Sequence, residues 1–365
     1  MKLVFYIDMM IRTGAQRVMG ILVNNLITDN EIILINDFCL DESIPQYIID
    51  ERVQRIYLQA RNEGHVISKN LTRIKKLRSI IRNELPDVVI SFLGRTNQRM
   101  LLSTIGLKTC KIVSVRNDPY KEYGENFIKR FIANLLFLSA NGCVFQTDTA
   151  KQYFWKRIQE KSTIIYNPIE DIFFSTERKN INGKIIVTFG RIEKQKNHRL
   201  LIDAFKIIAR YYNDTELFIY GDGQLKHSLE EYCASDKEIS DKVHFPGNVS
   251  NVNEILSKAS LFVLSSDYEG MPNALMESMA VGVPVVSTDC PCGGPKVLIR
   301  NETEGILVPC GDKNSLANAI RKLFDDKNLY MIVQENSKIR AQGFRIYNII
   351  QQWLEYIYSV KGKSI

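Results

Sequence analysis

Two glutamates that lie eight residues apart in one segment, Glu269 and Glu277, could accept hydrogen bonds from a ligand. Glu269 follows the apolar run 261–264, which predicts a buried strand. Pro272 then marks a turn into a helix that starts near Asn273 and carries Glu277 about one turn further on. A helix N-terminus presents N–H groups and a partial positive charge, so it favours an anion such as phosphate. Carboxylates beside a phosphate are placed to bind sugar hydroxyls.

A second loop carries Arg191 and Lys196, between a predicted strand at 184–189 and a predicted helix at 197–210. Ligands of open α/β sheets bind at the carboxyl ends of strands. Arginine offers a planar fork and lysine a point charge, and both suit phosphate oxygens. A loop that only faces solvent can also contain an arginine and a lysine, and two glutamates can lie eight residues apart by chance. Neither pair is therefore specific by itself.

Taken together and in this order, Arg-x4-Lys and Glu-x7-Glu resemble glycosyltransferase family 4. Its members are retaining nucleotide-sugar transferases of the GT-B architecture, and the nearest likeness is to bacterial surface-polysaccharide enzymes. The other matching segments are Tyr166-Asn167-Pro168, Tyr220-Gly221-Asp222-Gly223, His244-Phe245-Pro246-Gly247 and Asp289-Cys290-Pro291-Cys292-Gly293-Gly294-Pro295. The resemblance is strong over roughly residues 184–325 and weak in the first half.

The resemblance implies transfer of a hexose or N-acetylhexosamine from a nucleotide diphospho-sugar, foremost a UDP-sugar, with retention of configuration. The acceptor would be a saccharide or polyprenyl-linked saccharide of cell-surface polysaccharide synthesis. The expected catalytic residues are Glu269, Arg191 and Lys196. The expected donor contacts are Gly14, Arg191, Lys196, Gly270, Met271, Asn273 and Glu277. No cofactor or metal is expected, because the sequence contains no Asp-x-Asp and fixed positive groups would stabilise the leaving phosphate.

Acceptor contacts are expected from the first half of the chain. The candidates follow predicted strands there and are Arg95, Asn97, Arg116 and Asn117. Many members of the family have a histidine where Arg116-Asn117 stands, and the first half of this chain has only His65. Two other functions remain open: a catalytically silent nucleotide-sugar-binding subunit of another transferase, and a nucleotide-sugar epimerase of the same fold.

Alternating apolar runs and amphipathic segments predict an α/β chain of two Rossmann-like, doubly wound parallel-sheet domains that face each other across a cleft. Predicted strands lie at 2–7, 31–36, 87–91, 111–115, 143–146 and 162–166, and then at 184–189, 216–220, 242–245, 261–264, 284–287 and 305–308. The predicted boundaries are an acceptor-side domain over 1–168, a linker over 169–182, a nucleotide-sugar domain over 183–343 and a final helix over 344–365 that crosses back to the first domain.

The composition, with 24% charged residues and 365 residues in all, is typical of a two-domain soluble protein. Seven scattered cysteines predict free thiols and a cytoplasmic location. The first residues predict a strand rather than a signal peptide, and no apolar run reaches the length of a membrane span.

Basic amphipathic segments at 67–85 and 127–138 raise the question of peripheral contact with an anionic membrane. The first lies in a region, 51–82, that holds 9 basic and 2 acidic residues. A helix packed on a Rossmann sheet has the same pattern, so the sequence leaves both interpretations open. Nucleic acid is not an expected partner, because no nucleic-acid-binding module is visible.

Overall fold

Apolar strands alternate with helices along the whole chain and build two parallel sheets. The structure, a computed structural model, describes residues 1–41, 44, 46–58, 66–179 and 183–362. The chain divides into two units, Met1–Pro168 with Ile346–Ile365 and Ile169–Arg345, here called the N-terminal and C-terminal domains. The predicted fold class, two Rossmann-like parallel-sheet domains, is confirmed.

The described residues of the N-terminal domain before residue 168 form seven strands and seven helices. In chain order they are β1 (Lys2–Ile7), α1 (Gly14–Leu26), β2 (Glu31–Asn36), β3 (Gln54–Tyr57), α2 (Val66–Glu84), β4 (Val88–Phe92), α3 (Gly94–Ser103), β5 (Cys110–Ser114), α4 (Pro119–Tyr123), α5 (Phe127–Phe137), β6 (Gly142–Phe145), α6 (Asp148–Gln152), α7 (Lys156–Glu160) and β7 (Ser162–Ile164).

The strands of this domain pair in the order β3-β2-β1-β4-β5-β6-β7, and every pairing is parallel. Successive residues of β1 enter opposite cores: Leu3 and Phe5 pack on one face of the sheet, and Val4 and Tyr6 on the other. Burial on both faces explains why the inner strands are continuous apolar runs. The edge strand β3 was not predicted, because its sequence Gln-Arg-Ile-Tyr has no such run.

The C-terminal domain contains a six-stranded sheet. Its elements are α8 (Asp171–Ser175), β8 (Lys184–Phe189), α9 (His198–Ala209), β9 (Thr215–Tyr220), α10 (Lys226–Ala234), β10 (Val243–Gly247), α11 (Val252–Ser257), β11 (Leu261–Leu264), α12 (Asn273–Val281), β12 (Val285–Thr288), α13 (Gly294–Leu298), β13 (Ile306–Val308), α14 (Lys313–Asp325) and α15 (Lys327–Ala341), with 3-10 turns at Lys194–Lys196 and Gln342–Phe344. The strand order is β10-β9-β8-β11-β12-β13, again parallel throughout. The sheet therefore brings β8 and β11 side by side.

The last helix, α16 (Ile346–Gly362), belongs to the N-terminal domain. Trp353 is fully buried and stacks on Phe92, with ring centroids 5.7 Å apart. The Tyr356 hydroxyl accepts from the Cys143 N–H at 2.8 Å, and Lys361 Nζ lies 2.7 Å from Asp87 Oδ1. Buried aromatic packing and these two polar contacts thus fix α16 on this sheet.

The segment 169–182, predicted to be a linker, is partly folded into the C-terminal domain. Helix α8 buries Phe173 and Phe174. The Arg178 guanidinium donates to the Leu256 carbonyl at 3.2 Å and to the Tyr330 hydroxyl at 3.2 Å. Because the segment is polar overall, these contacts were not predicted from the sequence. Residues 180–182 lie outside the described part of the chain.

All seven cysteines are in the described residues and are free thiols, five of them buried. Among the described residues, no helix combines the length and the apolar character needed to cross a membrane. His65, the lone histidine of the first half, lies outside the described residues.

Candidate functional site

The loops that follow β8 and β11 are joined by several hydrogen bonds, among them one from the Ser265 hydroxyl to the Lys196 carbonyl at 3.0 Å. The Asp267 N–H donates to the Gln195 carbonyl at 2.8 Å, and Gln195 Nε2 donates to the Tyr268 carbonyl at 3.0 Å. Asn197 Nδ2 donates to Asp267 Oδ1 at 2.7 Å. Because β8 and β11 are paired in parallel, their following loops leave the same edge of the sheet. The basic loop and the acidic loop are therefore one structural unit.

At the centre of this unit is an ion pair between the two loops. Lys196 Nζ lies 2.6 Å from Glu269 Oε1, and the Ser266 hydroxyl donates to the same oxygen at 2.7 Å. The Glu269 side chain is 8% exposed and that of Lys196 is 18% exposed, so the pair is shielded yet reachable. An ammonium group has three donors, so Lys196 can hold Glu269 and still donate to a substrate anion.

Local backbone conformation places Lys196 at this point. Gly190 has φ +155°, and a Cβ there would lie 3.0 Å from Lys196 Cε, so a larger residue would crowd the lysine stem. Asn197 follows with φ 45° in the left-handed region, which asparagine tolerates better than most residues. Its side chain accepts from the Leu200 N–H at 3.2 Å and caps α9. The turn that ends the basic loop therefore also starts the next helix.

The acidic loop ends at the N-terminus of α12. Pro272 occupies the N-cap position, so the helix begins without the Ser, Thr, Asp or Asn side chain that commonly fills this role. Glu277 lies on the second turn of α12 and is 5% exposed. The backbone of Gly294 packs closely against this loop, because a Cβ at residue 294 would lie 1.6 Å from the Gly270 carbonyl oxygen. Residue 294 can only be glycine in this arrangement.

Arg191 differs from Lys196 in its surroundings. Its side chain is 61% exposed and pairs with Glu193 at 3.2 Å. The structure therefore brings Lys196, but not Arg191, into contact with Glu269. The neighbouring Gly221 and Gly223 have a packing role, because a Cβ at Gly221 would lie 1.9 Å from the Gly190 carbonyl oxygen and one at Gly223 2.5 Å from that of Ile192.

Ser266 and Thr288 support the site, although neither was among the predicted site residues. Ser266 bonds Glu269 directly, and Thr288 Oγ1 donates to the Ser266 carbonyl at 2.6 Å. Burial and the nearby Glu269 carboxylate raise the pKa of the Cys290 thiol, which keeps it neutral. The only sequence signal for these residues is their position directly after predicted strands.

His198 is the first residue of α9 and is buried two residues after Lys196. Burial and the Lys196 charge lower its pKa to about 3. The imidazole is therefore neutral at pH 7 and adds no positive charge to the site.

Comparisons with known proteins show which proteins this chain is similar to. A sequence model of the family described as glycosyl transferases group 1 matches residues 170–340. A Campylobacter jejuni relative is 29% identical over 99% of both chains; it is named GalNAc-alpha-(1->4)-GalNAc-alpha-(1->3)-diNAcBac-PP-undecaprenol alpha-1,4-N-acetyl-D-galactosaminyltransferase. This chain is a glycosyltransferase that resembles those of family 4. The resemblance stated from the Arg-x4-Lys and Glu-x7-Glu spacings is confirmed.

Two further comparisons extend the likeness of this transferase over nearly its full length. A second C. jejuni relative, N-acetylgalactosamine-N,N'-diacetylbacillosaminyl-diphospho-undecaprenol 4-alpha-N-acetylgalactosaminyltransferase, is 28% identical over 94% of this chain and 96% of its own. Anabaena HepE, solved in complex with UDP and glucose, superposes with a TM-score of 0.80 at 17% identity, over 98% of this chain and 100% of its own. At that identity the structural match shows the fold alone.

The acceptor candidates in the N-terminal domain of the transferase have differing environments. Arg95 is exposed on α3. Asn97, on the same helix, is fully buried; it accepts from the Ser91 hydroxyl at 2.7 Å and donates to the Ser114 carbonyl at 2.8 Å and to Tyr123 at 3.0 Å. These bonds join the ends of β4 and β5, so the position of Asn97 suits it to support rather than to direct contact.

Arg116 is also buried, and burial lowers its pKa to about 9. Its guanidinium lies 4.5 Å above the Phe92 ring centroid and donates to Asn167 Oδ1 at 3.0 Å. Its Nε and Nη2 have no partner among the described residues. Asn117 beside it is half-buried, and Gly14 is the exposed first residue of α1.

The described residues contain no group of three or more His, Cys, Asp or Glu side chains placed to hold a metal ion.

Proposed function

We propose that this transferase moves a hexose or N-acetylhexosamine from a UDP-sugar to a lipid-linked saccharide during cell-surface polysaccharide synthesis, with retention of anomeric configuration. The observation that carries the proposal is the Lys196–Glu269 pair, 2.6 Å apart, at the edge of the C-terminal sheet beside the start of α12. A cation, an acid and a helix N-terminus at one place match the needs of a departing pyrophosphate bonded to a sugar.

Lys196 is the main group that stabilises the leaving nucleoside diphosphate in this proposal. Negative charge builds on the phosphate oxygens as the glycosidic bond breaks, and a donor already fixed in position stabilises that charge without reorganising. The bond to Glu269 and the turn at Asn197 fix the lysine before substrate binds. One such donor contributes about 3–4 kcal/mol to transition-state stabilisation.

Arg191 would join Lys196 only when the donor is bound. Its present partner, Glu193, is itself exposed, and an exposed ion pair contributes about 0–1 kcal/mol, so exchanging that carboxylate for a diphosphate costs little. The backbone of Gly270, Met271 and Asn273 would supply N–H groups at the start of α12. Gly14, at the start of α1, remains a proposed donor contact on the same argument of close backbone approach.

The two glutamates have separate proposed roles. Glu269 is held by Lys196 and Ser266 through one carboxylate oxygen, Oε1, which leaves Oε2 to accept from hydroxyls of the transferred sugar. Glu277, a turn and a half into α12, would bind the ribose hydroxyls of the nucleotide, as the family resemblance implies. Retention is proposed on the same resemblance.

The acceptor class is proposed from the relatives. Both C. jejuni proteins are named for glycan acceptors linked through diphosphate to undecaprenol, and each aligns over more than nine-tenths of this chain. UDP as the nucleotide is supported by the UDP held in HepE. We assign residues 1–168 to the acceptor side and 183–343 to the donor side, with Arg95, Arg116 and Asn117 as candidate acceptor contacts and Asn97 as their support.

The deciding experiment is a UDP-release assay on the purified chain. Candidate UDP-hexoses and UDP-N-acetylhexosamines are tested with and without short-chain prenyl-diphosphate saccharides, and the product anomer is read by NMR. Acceptor-dependent release with an α product supports the proposal. Conversion of the donor without acceptor would identify an epimerase, and UDP binding without any turnover would identify a silent subunit. Activity is expected to survive EDTA; loss that magnesium or manganese restores would overturn the metal-free mechanism.

A further inference from the structure

Helix α5 packs with its large apolar side chains directed away from the domain. Ala133, Asn134 and Phe137 are fully buried. The large apolar residues on the other side are exposed: Phe127 by 80%, Ile128 by 69%, Phe131 by 45%, Ile132 by 50% and Leu135 by 55%. A helix that only covers a sheet turns such residues inward, so this arrangement points to an interaction surface.

Polar contacts fix this orientation of α5. Asn134 Nδ2 donates to the Arg130 carbonyl at 2.9 Å, and its Oδ1 accepts from the Trp155 N–H at 2.6 Å. Arg130 Nε donates to the Tyr153 carbonyl at 2.9 Å, and its guanidinium lies over the Tyr153 ring. Rotating α5 to bury its apolar residues would break the bonds to Trp155 and Tyr153 and leave buried polar groups unsatisfied, which costs about 1–3 kcal/mol for each group.

Trp155 extends the exposed surface beyond α5. Its ring meets Phe131 edge to face at 5.4 Å between centroids, and Phe131 stacks on Phe127 at 6.2 Å. The surface formed by Phe127, Ile128, Phe131, Ile132, Leu135 and Trp155 is here called the α5 face. Tryptophan and phenylalanine at the edge of an exposed apolar surface are typical of helices that lie at a membrane interface.

Charge complementarity identifies the occupant. Lys129 is exposed on α5, and Lys156 and Arg157 are exposed on α7, directly after Trp155. The acidic neighbour before the helix, Glu125, is paired with Lys121 at 2.5 Å. A protein interface excludes charge from its centre and mixes charges at its rim, whereas an apolar surface bordered by cations fits the anionic headgroups of a bilayer.

The other basic helix of the domain, α2, buries more of its apolar residues. Leu77 and Ile81 are buried in the core, and Arg73 Nη1 lies 3.6 Å from the buried Asp37 Oδ2. Leu71 and, just after the helix, Leu85 are exposed. Among the described side chains of the two segments that the sequence offered, 127–138 exposes the larger number of large apolar residues.

We propose that the α5 face inserts into the surface of an anionic bilayer and holds the transferase where lipid-linked acceptors are found. The choice of a bilayer gains support from the proposed acceptor and so rests in part on the proposed function. Binding to vesicles itself needs neither donor nor acceptor, so the two can fail separately.

The full chain is tested with vesicles of phosphatidylglycerol and phosphatidylcholine. The sequence has two tryptophans, and Trp353 is fully buried, so emission of Trp155 reports on the α5 face. We expect co-sedimentation with anionic vesicles and a blue shift of that emission. Phe127→Ser with Phe131→Ser should lower partitioning at least about tenfold, since affinity scales with buried apolar area. Met331→Ser with Ile332→Ser, on the exposed side of α15, is the matched control and should leave partitioning unchanged.

A second pair of variants tests the charges. Lys129→Glu should weaken binding to anionic vesicles, and Lys75→Glu, exposed on α2, should not. An equal loss of vesicle binding in Lys129→Glu and Lys75→Glu, or vesicle binding that neither apolar pair of substitutions changes, would overturn the assignment of the α5 face.

Absence of vesicle binding together with a dimer that the Phe127→Ser, Phe131→Ser variant dissociates would show that a second copy covers this face. Activity of that variant on a water-soluble short-chain acceptor should match wild type; vesicle binding without any transferase activity would overturn the proposed function alone.

Discussion

In the C-terminal domain the site cation Lys196 faces a carboxylate at 2.6 Å, whereas in the N-terminal domain the buried Arg116 faces aromatic rings and an amide. The group 1 family model matches 170–340, which lies within the C-terminal domain. The difference indicates that the chemistry shared by the family depends on oppositely charged side chains held in contact. The N-terminal domain instead holds a buried cation that contacts aromatic rings and an amide.

The largest effect is expected from Lys196→Met. Removing the cation takes away one preorganised donor to the leaving phosphate, so kcat should fall about 100- to 1000-fold. Lys194→Met, in the same 3-10 turn but exposed, is the control and should change kcat less than threefold. Steady-state UDP release with saturating donor measures both. Equal activity of the two variants would remove Lys196 from the mechanism.

The N-terminal domain should lose stability as the pH rises through the titration of Glu122. Although the residue is only half-buried, its Oε2 is shielded from solvent and has no partner among the described residues. Burial raises its pKa to about 7 from 4.5, so the folded state keeps a proton that the unfolded chain releases. Stability is therefore fully present below pH 4.5 and falls as pH rises to 7.

Glu122→Gln removes this titration. It should raise the free energy of unfolding by about 2 kcal/mol at pH 8 and by much less at pH 5. Urea unfolding at the two pH values measures the difference. A gain of the same size at both would indicate a packing effect instead.

The C-terminal domain should show the opposite pH dependence through His198. Its folded pKa, about 3, lies below the ordinary 6.5, so protonation favours the unfolded chain. Stability is full above pH 6.5 and falls as the pH drops toward 3, by about 2 kcal/mol at pH 5. His198→Leu should abolish this loss between pH 7.5 and 5, as measured by urea unfolding. A variant whose loss equals that of wild type would assign the acid sensitivity elsewhere.

The smallest effect is expected from Arg116→Met. Replacing an unpaired buried cation by an apolar side chain of similar length removes a desolvation cost, so the melting temperature should stay the same or rise. If Arg116 contacts the acceptor, KM for the acceptor should rise about tenfold while KM for the donor is unchanged, a loss of about 1.4 kcal/mol. An unchanged acceptor KM would assign Arg116 to packing.

The strands of the fold could be predicted from local pattern. The strands at 184–189 and 261–264 were predicted to the residue, because apolar runs that are buried on both faces have clear ends. Helix α12 was recognisable from Pro272 before it and ends at Gly282. The edge strand β3 was missed because a partly buried strand leaves no periodic signal. The anchors of α8 were missed because two buried phenylalanines lie in a short, otherwise polar segment.

The sequence predicted that the two loops lie close together, but it did not predict the contacts between them. Loops after parallel strands were expected to share one edge of the sheet, and Lys196 and Glu269 do so. Their 2.6 Å contact and the bond from Ser266 depend on the pairing of β8 with β11, which is not local information. Asn97 likewise follows a strand as expected, but its side-chain N–H groups donate to the Ser114 carbonyl and the Tyr123 hydroxyl.

The sequence by itself determined that strands and helices alternate, and that basic and acidic side chains follow particular strands. Those properties come from the spacing of apolar residues and from turn residues, which act over a few positions. Only the tertiary structure decided that Lys196 meets Glu269 and that Arg191 does not. It also decided that α5 keeps most of its large apolar residues exposed while α2 buries Leu77 and Ile81. An amphipathic pattern gives a helix two faces, but which face is buried depends on the side chains that other elements bring against it.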